Sequence, residues 1–203
     1  AHYFTTRERV RQIADDEDPV SPLAAAKMLL RCRSWVLNMF YIICYGVNNV
    51  LIMSSITYYA TYVMGSTAAA TAIQAVYLVV SIITTLLVGP LDRLLGRKRT
   101  MLFGAAVLVL GKIWFVLDPW STGAIYTNAV TVGIGLAIAF VMFNTNRNTI
   151  ADLVEWDSGR RIDSLVSTGD NLAAKLAQAG ATQLLTVAMP LSGFNEALPA
   201  QPA

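Results

Sequence analysis

The chain has 203 residues, of which 55% are hydrophobic and 14% are charged, and its mean hydropathy is +0.53. These proportions exclude an ordinary soluble domain, in which about a quarter of the residues are charged. The apolar residues come in long runs, which is typical of segments that span a bilayer. The net charge of +2 identifies no partner. Cys32 and Cys44 would lie on or beside one helix, which favours packing roles over a disulfide or metal site.

Polar residues fill the first 33 positions, which we interpret as a cytoplasmic linker with a short helix beginning at Ser21 and Pro22. Five bilayer-length spans follow, at residues 35–64, 67–88, 100–117, 124–154 and 163–188. The first has a polar interruption at GVNNV, and GPLDRLLGRKR separates the second from the third. We therefore predict an all-α, polytopic fold with five transmembrane helices in residues 34–189, followed by an extracytoplasmic loop at 190–203.

Lysines and arginines lie on one side of this topology. Of the fifteen, six are in the linker, four are in LDRLLGRKR and two are Arg160 and Arg161. The opposite connections, GST and DPWSTG, and the C-terminal tail carry none. Because cytoplasmic loops retain positive charge, the linker and both basic connections are predicted to be cytoplasmic.

Three basic residues remain inside predicted spans: Lys112, Arg147 and Lys175. A charge at the bilayer centre costs about 3 kcal/mol on insertion scales, so it must snorkel, find a partner or face a cavity. Lys112 is close enough to the outer interface to snorkel. Arg147 lies within two turns of Asp152 and Glu155, which favours an ion pair. Lys175 lies about 18 Å into the fifth span, near the midplane, and snorkelling cannot reach water from there.

Polar side chains recur around Lys175 at helical spacing. Six residues, hereafter the polar stripe, share the three-and-four spacing that places them on one side of a helix: Ser167, Thr168, Asn171, Lys175, Gln178 and Thr182. Asp170 borders this stripe. Hydrogen bonding between helices would explain single polar residues, but it explains a lysine at mid-membrane poorly. We therefore expect the polar stripe to line a water-accessible pathway.

Two further spans carry candidate substrate contacts. The first contains amide, hydroxyl and phenol side chains at Asn48, Asn49, Ser55, Tyr58, Tyr59 and Tyr62. Amides and phenols hydrogen-bond sugar hydroxyls and rings stack on a pyranose, although the same groups also hold helices together. On the fourth span, Phe140 and Phe143 are candidate stacking rings, with ordinary core packing as the alternative.

Two motifs resemble a known family. GPLDRLLGRKR resembles the loop signature Gly-x-x-x-Asp-Arg-x-Gly-Arg-Arg of the major facilitator superfamily, with one extra residue between Arg93 and Gly96. ADLVEWDSGRR followed by LVSTGDNLAAKLAQAGA resembles the glycoside-pentoside-hexuronide cation symporters, the melibiose-carrier-like family. TTRER in the linker and the paired asparagines and tyrosines of the first span are similar too. The resemblance implies helices seven to eleven of a twelve-helix fold, with an N-terminal half and a last helix outside this sequence.

The resemblance also implies roles for individual residues. Lys175 matches a lysine of the central cavity, Asp170 and Asn171 match sugar-proximal positions, and Phe140 falls near an aromatic position that contacts sugar. With the polar residues of the first span, the predicted substrate-binding set is Lys175, Asn171, Asp170, Phe140, Asn48 and Tyr58.

A cytoplasmic gate is implied as well, formed by Asp92, Arg93, Asp152 and Arg161. Ion pairs between the two halves would hold this gate shut in outward-facing states. The family's carboxylates for the coupling cation, Na⁺ or H⁺, lie in the N-terminal half, so the cation would be bound mainly there and this chain alone is not expected to couple transport.

These inferences predict a sugar and cation symporter of the inner (plasma) membrane, with no other cofactor, no metal site and no covalent chemistry. Its partners would be the sugar, the lipid bilayer and the N-terminal six-helix half, and not nucleic acid. Two alternatives remain open. One is a membrane enzyme that uses the charges from Asp152 to Arg161 as a metal or phosphate site, although His2 is the only histidine. The other is a fragment that assembles with other membrane proteins.

Overall fold

Every regular element in the described part of the chain is helical, which confirms the all-α prediction. The computed structural model describes residues 22–158 and 163–191. Its elements are α1 (Pro22–Arg31), α2 (Arg33–Tyr58), a π-helical turn (Tyr59–Val63), α3 (Thr67–Leu95), α4 (Arg97–Leu117), α5 (Thr122–Ser158) and α6 (Asp163–Leu191). The predictions for residues 1–21 of the linker, for Arg160 and Arg161, and for residues 192–203 lie outside the described residues.

Five helices have the length that the predicted spans require. Four are also apolar enough to cross a bilayer, judged by length and composition: Arg33–Val63, Thr67–Leu95, Arg97–Leu117 and Thr122–Asp157. α6 has 29 residues, about 44 Å, but it carries the polar stripe and Asp170 along its length. Four of the five predicted spans thus have the length and composition of membrane helices, and α6 differs from these four in its polarity.

α2 does not break at the polar stretch GVNNV. The α-helix continues through Gly46 and Asn49 to Tyr58. Asparagine disfavours a helix by less than about 1 kcal/mol, and tertiary packing readily outweighs such a preference. The irregularity lies at the far end instead, in the π-helical turn. There the Tyr59 hydroxyl donates a hydrogen bond to the carbonyl of Pro119, which ties α2 to the connection between α4 and α5.

The basic connection between the second and third spans is a sharp break between two helices. α3 continues past Pro90 to Leu95, and α4 begins at Arg97. Gly96 separates them with a φ of 78°, a conformation that residues with a Cβ rarely adopt. Its amide donates to the carbonyl of Asp92 at 2.9 Å, which closes the end of α3.

The short connections make successive long helices alternate in direction, so one end of the bundle collects the basic residues of LDRLLGRKR. We call this the basic end. A buried apolar cluster joins α1, α5 and α6 there: Leu29, Ile150, Val154 and Val166. α5 is the central helix, because 56% of its apolar stretch is buried, against 11–17% in the other three apolar spans. Many large apolar side chains of α3 and α4 are exposed, as expected of surfaces that face lipid.

α6 packs on α2 through small side chains. Its buried positions include Ala173, Ala177 and Ala181. A methyl group at Gly46 of α2 would lie 2.8 Å from the Cβ of Ala177. Small residues that let two backbones approach closely are a main source of helix association in membranes. Leu172 and Leu176 are exposed instead of packed, so the alanines form the contact.

Gly46→Ala is therefore expected to destabilise the bundle by about 1–2 kcal/mol, because overpacking outweighs the higher helix propensity of alanine. The measurement is the thermal unfolding midpoint in detergent. Gly180→Ala is the matched control, since nothing lies within 4 Å of a methyl group there. Gly46→Ala combined with Ala177→Gly should recover most of the loss. An unchanged midpoint for Gly46→Ala alone would contradict the close approach.

Candidate functional site

Lys175 lies on an uncovered side of α6. It follows Asp163, the first residue of this helix, by twelve residues, or about 18 Å. Its side chain is exposed, as are those of Thr168, Asn171, Gln178 and Thr182, while Ser167 is half-buried. Ala177 points almost the opposite way, into the contact with α2. Because five of its six members are exposed, the polar stripe faces away from the helices that the structure describes, and no ion pair within the described residues involves Lys175.

Asp170 lies on a different side of α6, turned towards α5, and is only 4% exposed. Its Oδ2 atom is 3.6 Å from Nε of Arg147 on α5, whose side chain is 28% exposed. Arg147 also donates a hydrogen bond from Nη2 to Oδ1 of Asn144, one turn earlier on α5. Neither carboxylate oxygen of Asp170 has a hydrogen-bond partner in the described residues. Within them, Arg147 is therefore the group that compensates the charge of Asp170.

This pairing corrects the partner predicted for Arg147. Asp152 and Glu155 were expected to pair with it, but both are exposed and neither is joined to it in the described residues. Side chains on an α-helix tilt towards its N-terminus, so Arg147 leans towards Asn144 and away from residues that follow it. Asp152 is also rotated by about 140° around α5 from Arg147.

Phe140 belongs to an aromatic cluster between α2 and α5. Its ring centroid is 5.3 Å from that of Phe143 and 6.3 Å from that of Tyr45. The Phe140 ring is about half exposed and borders an open groove of about 470 Å³ along α5. Asn144, Arg147, Asn148 and Asp152 line the same groove. An aromatic face and several polar groups therefore share one surface of α5.

The predicted residues of α2 lie elsewhere. Asn48 borders a crevice of about 290 Å³ between α2, α4 and α5 and another of about 510 Å³ between α2 and α4. Its Oδ1 atom is buried with no hydrogen-bond partner in the described residues. Lys112 of α4 lines the larger of these crevices. Tyr58 stacks on Tyr62 near the opposite end, with ring centroids 6.2 Å apart. Of the six predicted substrate residues, Asn171 and Lys175 share the polar stripe and the other four lie on other surfaces of the described bundle.

The predicted gate residues lie at the basic end, except for Arg161, which is outside the described residues. Asp92 is half-buried in the last turns of α3, and its Oδ1 atom has no hydrogen-bond partner in the described part of the chain. Arg93 beside it is exposed. Asp152 is exposed and borders a crevice of about 630 Å³ between α2, α4 and α5.

Three polar residues at these sites were not among the predicted site residues. Arg97 lines the 630 Å³ crevice and donates from Nη1 to Oγ1 of Thr149 at 3.0 Å. Asn38 lines the same crevice, and both its amide atoms are buried without a partner in the described residues. Asn144 holds Arg147 from one turn away. Only the i, i+3 spacing of Asn144 and Arg147 was visible in the sequence as a signal.

The long apolar helices, with polar and charged side chains inside them, define a multi-pass α-helical membrane protein. Residues 1–203 match the family model described as MFS/sugar transport protein. The chain is also 30% identical over 187 residues to the Major facilitator superfamily domain-containing protein 12 of Equus caballus, a match that covers 86% of the chain. It spans 38% of the length of that relative. The protein belongs to the MFS/sugar transport protein family of the major facilitator superfamily.

Arg147→Gln is expected to lower the free energy of unfolding by about 2 kcal/mol, because it leaves the buried Asp170 carboxylate unpaired. Asp170→Asn should have a smaller effect, since Arg147 is partly exposed and retains Asn144. The double variant should be more stable than Arg147→Gln alone, which a double-mutant cycle of unfolding in detergent measures. Arg33→Gln, at an exposed position, is the control. Additive effects of the two substitutions would contradict the ion pair.

Proposed function

We propose that this chain is the C-terminal portion of a sugar transporter that couples uptake to a cation and works by alternating access. The transporter would rock its two halves around a site near the midplane of the membrane. The family match supports transport of sugars as the general function. The resemblance to the melibiose-carrier-like symporters supports the cation coupling. The partners would be the sugar and the N-terminal half, whose carboxylates would bind Na⁺ or H⁺.

The exposed position of Lys175 in the middle of α6 is the observation that carries this proposal. A lysine that faced lipid at this depth would be strongly unfavourable, and ionisable residues in membrane helices usually face a protein interior or a wet cavity. The neighbouring amides and hydroxyls extend the same polar face over about four turns of helix. We infer that the polar stripe faces the N-terminal half across a water-filled pathway.

The substrate-binding roles follow from this arrangement. Asn171 and Lys175 share the polar stripe, and their amide and ammonium groups suit sugar hydroxyls. Phe140 offers an aromatic face on α5. Asn48 and Tyr58 remain candidates from α2, and they require a substrate pathway that reaches other sides of the bundle than the polar stripe. Asp170 is too buried to be a primary contact in this conformation.

The transporter would lie in the inner (plasma) membrane of the cell. Its basic end would face the cytoplasm and form part of the gate. Asp92, Arg93, Asp152 and Arg161 would exchange ion pairs with the N-terminal half. The exposure of Arg93 and Asp152 supports this role, because exposed charges at this end are available to a docking surface. The linker of residues 1–33 would join the two halves on the same side.

The enzyme alternative would use charges at the end of α5, of which Arg160 and Arg161 lie outside the described residues. Asp152, Glu155 and Asp157 are exposed on the last turns of α5. Within residues 22–158 and 163–191, no group of three or more His, Cys, Asp or Glu side chains has an arrangement that would hold a metal ion.

Lys175→Ala in the complete transporter is expected to abolish concentrative sugar uptake while the protein remains inserted and folded. The reason is the loss of the mid-membrane charge at the substrate and cation sites. Uptake of radiolabelled sugar into vesicles with an imposed cation gradient measures this effect. Lys27→Ala, at an exposed position of α1, and Leu184→Ala, at an exposed position of α6, are the controls. Full accumulation of sugar by the Lys175→Ala protein at normal expression would contradict the proposed role of Lys175.

Asp152→Ala is expected to favour inward-open states, because it removes one ion pair from the cytoplasmic gate. Alkylation of a cysteine placed in the central cavity, by a reagent added from the cytoplasmic side, should become several-fold faster. Glu155→Ala, which removes an exposed carboxylate from the same helix end, is the matched control. Equal alkylation rates in all three proteins would count against the gate.

A further inference from the structure

The groove beside Phe140 contains a charged group that the family motifs leave without a role. Arg147 lines this groove together with two amides, Asn144 and Asn148, and the carboxylate of Asp152. Its volume of about 470 Å³ is within the range of small-molecule sites. The groove thus combines an aromatic ring, two amides and a charged hydrogen-bond donor. A polar ligand can bind to such a surface.

Arg147 is held in place from two directions. Asn144 accepts a hydrogen bond from its Nη2 group, and Asp170 lies 3.6 Å from its Nε atom. A guanidinium has five N–H donors in a planar fork, so donors remain for a ligand in the groove. Fixing the side chain beforehand reduces the conformational entropy that a ligand must otherwise overcome on binding.

The charge of the pair bears on which ligand is favoured. Asp170 is 4% exposed, so water screens its carboxylate poorly, and its negative charge offsets the positive charge of Arg147. An anionic ligand at Arg147 would therefore be repelled by Asp170. An uncharged ligand rich in hydroxyl oxygens would accept hydrogen bonds from Arg147 without this repulsion.

We propose that Arg147 contacts the transported substrate by donating hydrogen bonds to its hydroxyl oxygens, and that Asp170 is the positioning residue that holds Arg147 and favours uncharged substrates. This inference rests on the proposed sugar transport. It assigns Asp170 an indirect role, through Arg147, in place of direct contact with the sugar.

The test uses the complete transporter and a panel of radiolabelled neutral sugars, namely glucose, lactose and melibiose, with glucuronate as the anionic competitor. Arg147→Lys keeps a charge for Asp170 but loses the planar fork, so the KM for the transported neutral sugar should rise about tenfold in a folded protein. Asp170→Asn leaves Arg147 uncompensated, so glucuronate should inhibit neutral-sugar uptake at a concentration at least tenfold lower. Arg147→Gln with Asp170→Asn should raise KM without this gain for glucuronate.

The control is Arg33→Gln, which should change neither KM nor inhibition by glucuronate. If the unmodified protein takes up sugar, two results would overturn the inference while the proposed function stands. One is a KM for Arg147→Lys equal to that of the unmodified protein, and the other is an unchanged sensitivity of Asp170→Asn to glucuronate. Failure of the unmodified protein to take up any sugar of the panel would instead contradict the proposed function, and this inference would fall with it.

Discussion

Charge placed inside bilayer-length helices is the constraint on which the rest of this structure depends. An isolated charge in hydrocarbon is unfavourable by several kcal/mol, so each such residue needs a partner or water. Arg147 and Asp170 satisfy each other between α5 and α6. Lys175 has no ion-pair partner within the described residues and lies on an uncovered face. Two regions result. In the contact between α5 and α6 the charges compensate each other, whereas for the exposed polar surface around Lys175 we propose water and the N-terminal half as the neighbours.

The packing of the helices decides which side chains fall in each region. Close contact at Gly46 and Ala177 rotates α6 so that its alanines face α2. Asp170 is carried to the buried side by the same rotation, and Lys175, five residues later, is carried to the outer side. α5 lies at the centre and meets several neighbours, which explains why its buried fraction far exceeds that of the other spans. Small residues at one contact thus set the orientation of the polar stripe.

Local patterns were enough to predict the all-α class, four of the five spans and the shared side of the polar stripe, because hydropathy and helical periodicity act within one segment. The partner of Arg147 was not predictable in this way, since Asp170 lies on another helix and the choice depends on how α5 and α6 rotate against each other. At GVNNV the sequence left a helix break and contacts between helices equally open, and the helix continues because tertiary packing outweighs the weak preference of asparagine. Both amide atoms of Asn38 are buried without hydrogen-bond partners in the described residues. No pattern in the sequence indicated this burial.

Both the polar stripe and the adjacent apolar side of α6 are exposed in this structure, and we propose that the polar stripe borders water while the apolar side faces lipid. The test places single cysteines along α6 of the complete transporter, in a background where Cys32 and Cys44 are replaced by alanine. The measurement is the rate at which each cysteine reacts with a charged, water-soluble methanethiosulfonate. Cysteines at Asn171 and Gln178 are predicted to react at least tenfold faster than cysteines at Leu172 and Leu176. Equal rates on the two sides, or faster reaction on the leucine side, would contradict a polar pathway along α6.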